Sequence, residues 1–65
     1  MKILNIIPNS VLYKNKWESY GFFRIQDGSR ILDRKESLGV MFDTKEVADK
    51  YFENNIYVKY SNIEI

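Results

Sequence analysis

The chain contains no cysteine and no histidine. Without cysteine, neither a disulfide nor a thiolate metal site can stabilise the fold. Without either residue, the common nucleophile–base pairs and the imidazole or thiolate metal sites cannot be assembled. The three glycines, Gly21, Gly28 and Gly39, are scattered, so there is no phosphate-cradling loop. The single proline, Pro8, ends the apolar stretch ILNII, which Asn5 interrupts. That stretch is too short for a signal-peptide core, and no run approaches the roughly 20 apolar residues of a transmembrane helix. These absences lead to the expectation of a cytoplasmic protein, of the cell itself or of a host, that is not an enzyme and carries no cofactor.

Sixty-five residues allow a single domain, residues 1–65, with a small core. A domain of this size buries only about 60% of its unfolded surface, so its stability needs support. Five Tyr, four Phe and one Trp can supply it through an aromatic core, and oligomerisation is the other route. The formal charge of +1 selects no partner. Its distribution is more informative. Residues 14–35 carry six cations against three carboxylates, whereas residues 43–53 carry two cations against four. An anionic partner would meet the first segment and not the second.

The stretch FDTKEVADKYFENN, residues 42–55, predicts an amphipathic helix over about 44–54. Asp43 is the expected N-cap, with Glu46 completing a capping box and Phe42 and Val47 a hydrophobic staple. Val47, Ala48, Tyr51 and Phe52 form its apolar stripe, and Lys45–Asp49 and Glu46–Lys50 are i,i+4 pairs of opposite sign. Asn54-Asn55 is the expected stop.

The remainder reads as strands. KILNII at residues 2–7 has apolar residues on both alternating faces, which predicts a strand buried on both sides or at a protected position. VLY at 11–13 starts a second strand, and Lys14-Asn15-Lys16 an exposed bend. From Trp17 to Gln26 the chain alternates, Trp17, Ser19, Gly21, Phe23 and Ile25 on one face and Glu18, Tyr20, Phe22, Arg24 and Gln26 on the other. Asp27-Gly28 is a tight-turn signal, with Phe23 opposite Leu32 for a two-residue turn or Ile31 for a three-residue one. Glu36-Ser37 breaks the returning strand, and Leu38–Phe42 forms a further short one. Ile56, Val58 and Tyr60 alternate as a final strand, followed by a change of phase that leaves Ile63 and Ile65 as a bulged, bent or frayed tail.

Three features are candidates for function. Asp49 and Glu53 lie one helical turn apart and could share a magnesium-like cation, but a solvated helix face explains them as well. The mixed aromatic and basic run supplies a candidate binding set of Trp17, Tyr20, Phe22, Arg24, Arg30 and Arg34. Such residues stack on bases and contact phosphates, and they are equally the residues of protein-binding hot spots. The terminal strands, IYVKY at 56–60 above all, offer edges for pairing with another chain.

The pattern W-x-x-x-G-x-F-R-I-x-D-G at Trp17–Gly28, followed by F-D-T-K-E-V-A at Phe42–Ala48, resembles the three-strand-plus-helix DNA-binding domains of the AP2 and integrase arm-binding type. That resemblance implies a sheet covered by a helix, with nucleic acid read by the sheet. The chain departs from it in a less basic sheet and in apolar segments added at both ends.

The expectation is therefore an α+β domain, an antiparallel sheet of four or five strands with one helix packed on one face. Its expected function is a non-catalytic binding or regulatory module. A protein partner, self-association included, is favoured, sheet-mediated DNA or RNA binding is the alternative, and no membrane is involved.

Overall fold

The computed structural model describes residues 2–61 and contains four antiparallel strands in one sheet and one helix, an α+β fold. The strands are β1 (Lys2–Pro8), β2 (Val11–Tyr13), β3 (Lys16–Asp27) and β4 (Arg30–Phe42), and the helix is α1 (Lys45–Ser61). The expected tail at Ile63 and Ile65 lies outside the described residues.

β3 is the centre of the sheet. β4 pairs along its whole length on one side, so β1 and β2 share the other. Ile6 opposite Phe23 and Leu12 opposite Trp17 continue a single register, so β1 and β2 form one row interrupted at Asn9-Ser10. The four strands thus make three rows. The hairpin of β3 and β4 sets the long axis of a molecule measuring 41 × 19 × 15 Å.

Two tight turns hold these rows in register. Lys14 and Asn15 both have positive φ, 50° and 66°, between the paired residues Tyr13 and Lys16, the pattern of a type I′ turn. Between β3 and β4, Asp27 pairs with Arg30, leaving Gly28 and Ser29 as the turn. Phe23 consequently faces Arg34, and Leu32 faces Ile25, so both expected partners for Phe23 are corrected. The reason is conformational. Placing Asp27-Gly28 at the centre of a type I′ turn needs positive φ at Asp27, whereas a II′ turn needs it only at Gly28, where φ is 65°.

Three further strand expectations change. β1 lies on the edge of the sheet and is not buried on both sides. A bulge between Ile3 and Asn5 turns both Ile3 and Ile6 toward the core, leaving Leu4 and Ile7 exposed. β4 is one strand across Glu36-Ser37 and not two. Its apparent break is a bulge, where Leu38–Val40 lie opposite Ser19 and Gly39 takes φ of 70°. Finally, Ile56–Tyr60 is helical and not a strand. Ala48, Phe52 and Ile56 recur every four residues and are buried, with Tyr60 next in the series packed on Phe23 at 5.0 Å between ring centroids. Continuing this stripe buries Ile56 on the sheet, and Asn55 stays in the helix, its side-chain amide donating to the Tyr51 carbonyl at 2.9 Å.

The helix also starts one residue later than expected. Thr44 Oγ1 accepts from the Val47 amide at 3.2 Å and is the N-cap. Asp43 is held instead by Lys16, so the box with Glu46 and the staple to Val47 do not form. Phe42 packs on Tyr51, 5.0 Å between centroids, and Val47 is exposed. Of the two i,i+4 pairs, Lys45–Asp49 closes at 2.9 Å, and Glu46 and Lys50 make no ion pair among the described residues.

The helix lies on the face formed by Ser19, Gly21, Phe23 and Ile25, with Phe52 and Ile56 completing the core. Small residues make the close approach. Ser19 Oγ donates to the Ala48 carbonyl at 2.9 Å, and both residues are fully buried. Directly across the sheet, the Ser10 amide leaves the strand ladder and donates to Asp49 Oδ1 at 2.8 Å. A Cβ on Gly21 would lie 2.7 Å from both the Ile7 carbonyl oxygen and Phe52 Cε1.

Two stability effects follow. Gly21→Ala is expected to lower the unfolding free energy by about 1–3 kcal/mol, as overpacked cores do, read as a shifted denaturant midpoint. Burial pushes the Asp49 carboxyl up, but hydrogen bonds from Ser10 and Lys45 outweigh it, and its net displacement is downward. A lowered native pKa stabilises the fold above the unfolded-state value and loses that contribution as pH falls through the native one. Asp49→Ala is therefore expected to cost about 1–3 kcal/mol at pH 7. Denaturant titrations should show that gap narrowing below about pH 4.

Candidate binding face

The register sorts the side chains into a covered face and an open face. Of the six candidate residues, Tyr20, Phe22 and Arg24 stand together on the open face. Trp17, Arg30 and Arg34 alternate onto the helix side, Trp17 half-buried between Leu12 and Phe42 in its cross-strand row and both arginines exposed. The structure therefore brings three of the six together on one face; Arg34 reaches the same groove from the β4 side, and Trp17 and Arg30 lie apart from it.

On the open face, Ile7, Phe22 and Lys35 form one cross-strand row, and Asn5, Arg24 and Asp33 the next. Together these side chains line a groove of about 450 Å³, with Phe23 and Arg34 contributing at its border. Its apolar part is open to solvent, Ile7 being 54% and Phe22 40% exposed. Tyr20 stands edge-on to Phe22, 5.7 Å between centroids at 76°, an arrangement that favours the pair.

The ionic groups are distributed unevenly. Arg24 Nε and Nη2 donate to the two Asp33 oxygens at 2.7 and 3.2 Å, a bidentate pair. The hydrogen bond from Arg24 holds the Asp33 carboxyl below its ordinary value, and Asp33 raises that of Arg24. Both groups are exposed, so the pair orders the surface more than it stabilises the fold. Glu18, further along β3, accepts from Ser37 Oγ at 2.5 Å. Lys2 and Lys35 make no ion pair among the described residues.

The candidate cation pair is occupied differently. Asp49 accepts from Ser10 and Lys45 against the sheet, while Glu53 is exposed. Among the described residues no three acidic side chains converge as a metal site would require, and no helix is long and apolar enough to cross a membrane.

Asn5, Ile7, Asp33 and Lys35 belong to the groove but not to the candidate set. The signal for Ile7 was present as apolar residues on both faces of KILNII, more than a one-sided strand needs. The other three depended on the register, since only the pairing of Arg24 with Asn5 and Asp33 and of Phe22 with Lys35 places them.

The bidentate pair has a measurable consequence. Asp33→Asn frees the Arg24 guanidinium and is expected to raise the salt needed to elute the protein from heparin, whereas Arg24→Gln should leave elution unchanged or earlier. An unchanged profile for Asp33→Asn would show that Asp33 does not restrain Arg24.

No family model matches the chain, and no curated protein or solved structure matches it.

Proposed function

We propose that this chain is a small non-catalytic binding module, working in a cytoplasm, whose open sheet face docks on a protein. The observation that carries this reading is the exposed Ile7–Phe22 row on a rigid sheet, buttressed by Tyr20. An aromatic held in one orientation beside an aliphatic residue loses little entropy on binding, which is the character of an interface hot spot. The closed Arg24–Asp33 pair supports a protein partner over a polyanion, because the arginine nearest the aromatics is already satisfied. A base-stacking strip would also present parallel ring faces, and Tyr20 and Phe22 are edge-to-face.

A photo-crosslinking amino acid at position 22, compared with one at the exposed helix position 54, tests the assignment in the source organism. The expected result is an adduct from position 22 alone that is sensitive to protease and resistant to nuclease. Equal labelling from both positions would overturn the open face as the docking surface. A nuclease-sensitive adduct would replace the protein partner with nucleic acid, whose binding should also fall steeply with salt.

A further inference from the structure

Resting on the reading of the open face as a protein-docking surface, we propose that the groove takes a short acidic segment of another protein with an apolar side chain at its centre. The apolar group sits between Ile7 and Phe22, and a flanking carboxylate meets Lys35.

The order of the rows assigns these roles. Ile7, Phe22 and Lys35 are direct cross-strand neighbours, so an apolar floor ends in an ammonium at the β4 edge. The volume of about 450 Å³ falls in the range of small-ligand pockets and accommodates side chains, not a folded surface. In the neighbouring row, Arg24 and Asp33 cancel one another, and the Asn5 side chain offers a neutral donor and acceptor for a passing backbone.

Charge determines the sign of the partner. With Arg24 and Asp33 closed on each other, the face keeps Lys2 and Lys35 without an ion pair among the described residues, and Arg34 borders the groove. The one other open-face carboxylate of the sheet among the described residues, Glu18 on β3, lies four residues from Phe22, about 13 Å along the strand, and is bonded to Ser37. The groove end of the face is therefore positive. A basic segment would meet Lys35 and Arg34 there, neither in an ion pair among the described residues, and an acidic one would neutralise them.

Three synthetic hexapeptides, EELFEE, KKLFKK and EESSEE, titrated into the ¹⁵N-labelled chain at 0.15 M salt (about physiological ionic strength), test this. EELFEE is expected to shift the amide resonances of Asn5, Ile7, Phe22 and Lys35, with the other two binding about tenfold more weakly, a difference of about 1.4 kcal/mol. In Lys35→Glu, whose exposed position leaves the rest of the spectrum in place, the preference should invert toward KKLFKK. Equal binding of the two LF peptides, or an unchanged preference in Lys35→Glu, overturns the acidic assignment while leaving the open face as a protein surface. Two outcomes reject both the assignment and its occupant. One is a thymidine oligonucleotide shifting the same resonances more strongly than EELFEE. The other is concentration-dependent shifts at Ile7 and Phe22 in the free chain, which would put a second copy in the groove. If no peptide shifts Ile7 or Phe22, the reading of the face falls with the proposal.

Discussion

Everything in the molecule depends on how closely the helix can lie on β3. At Gly21 the absence of a side chain lets the Phe52 ring occupy space that a methyl group would need, with the Ile7 carbonyl on the other side. One cross-strand row away, Ser19 and Ser10 tie the same helix through the Ala48 carbonyl and the Asp49 carboxylate. The sheet yields on both sides of this row. The N-terminal row breaks at Asn9-Ser10, and β4 bulges opposite Ser19. A core of few residues is dense here because two of its polar contacts are also its docking points.

Covering one face leaves the other open, and the strand alternation decides what is displayed there. Phe23 and Ile25 are buried, so Tyr20, Phe22 and Arg24 are outside. The same geometry separates Trp17 and Arg30 from them and leaves Arg34 only at the border of the groove, although all six lie within one hairpin. The residues that matter for binding are thus selected by parity and register, and proximity in the sequence is a poor guide to them. The closed Arg24–Asp33 pair then determines that the positive character of the face resides in Lys35 and Lys2.

Much of this is legible in the sequence. The period of two from Trp17 to Gln26 correctly separates the faces of β3, because a helix on one side demands alternation. Gly28 marks the hairpin, and Ala48 and Phe52 mark the buried side of the helix. What misled were patterns that two structures satisfy equally. Ile56, Val58 and Tyr60 alternate like a strand, yet Ile56 and Tyr60 also continue the four-residue spacing from Ala48, and burial against Phe23 decides for the helix. Asp43 is as good a cap as Thr44 until Lys16, far away in sequence, takes its carboxylate. Bulges at Leu4 and at Leu38–Val40 have no local signature beyond an interrupted pattern, so they read as double-sided burial and as a strand break. The groove suffered most, since it exists only once three rows are in register.

The two-residue turn at Gly28-Ser29 also bears on the order of folding. It brings β3 and β4 together with almost no loop to close, whereas the Ser10–Asp49 tie spans 39 residues and the Ser19–Ala48 tie 29. Loop-closure entropy therefore favours the hairpin as the earliest structure, with helix docking later. In that order the contacts of Phe52 and Ile56 are absent from the transition state, so weakening them should steepen escape from the native state while barely slowing its formation. The helix that supports the fold would then act chiefly as its latch.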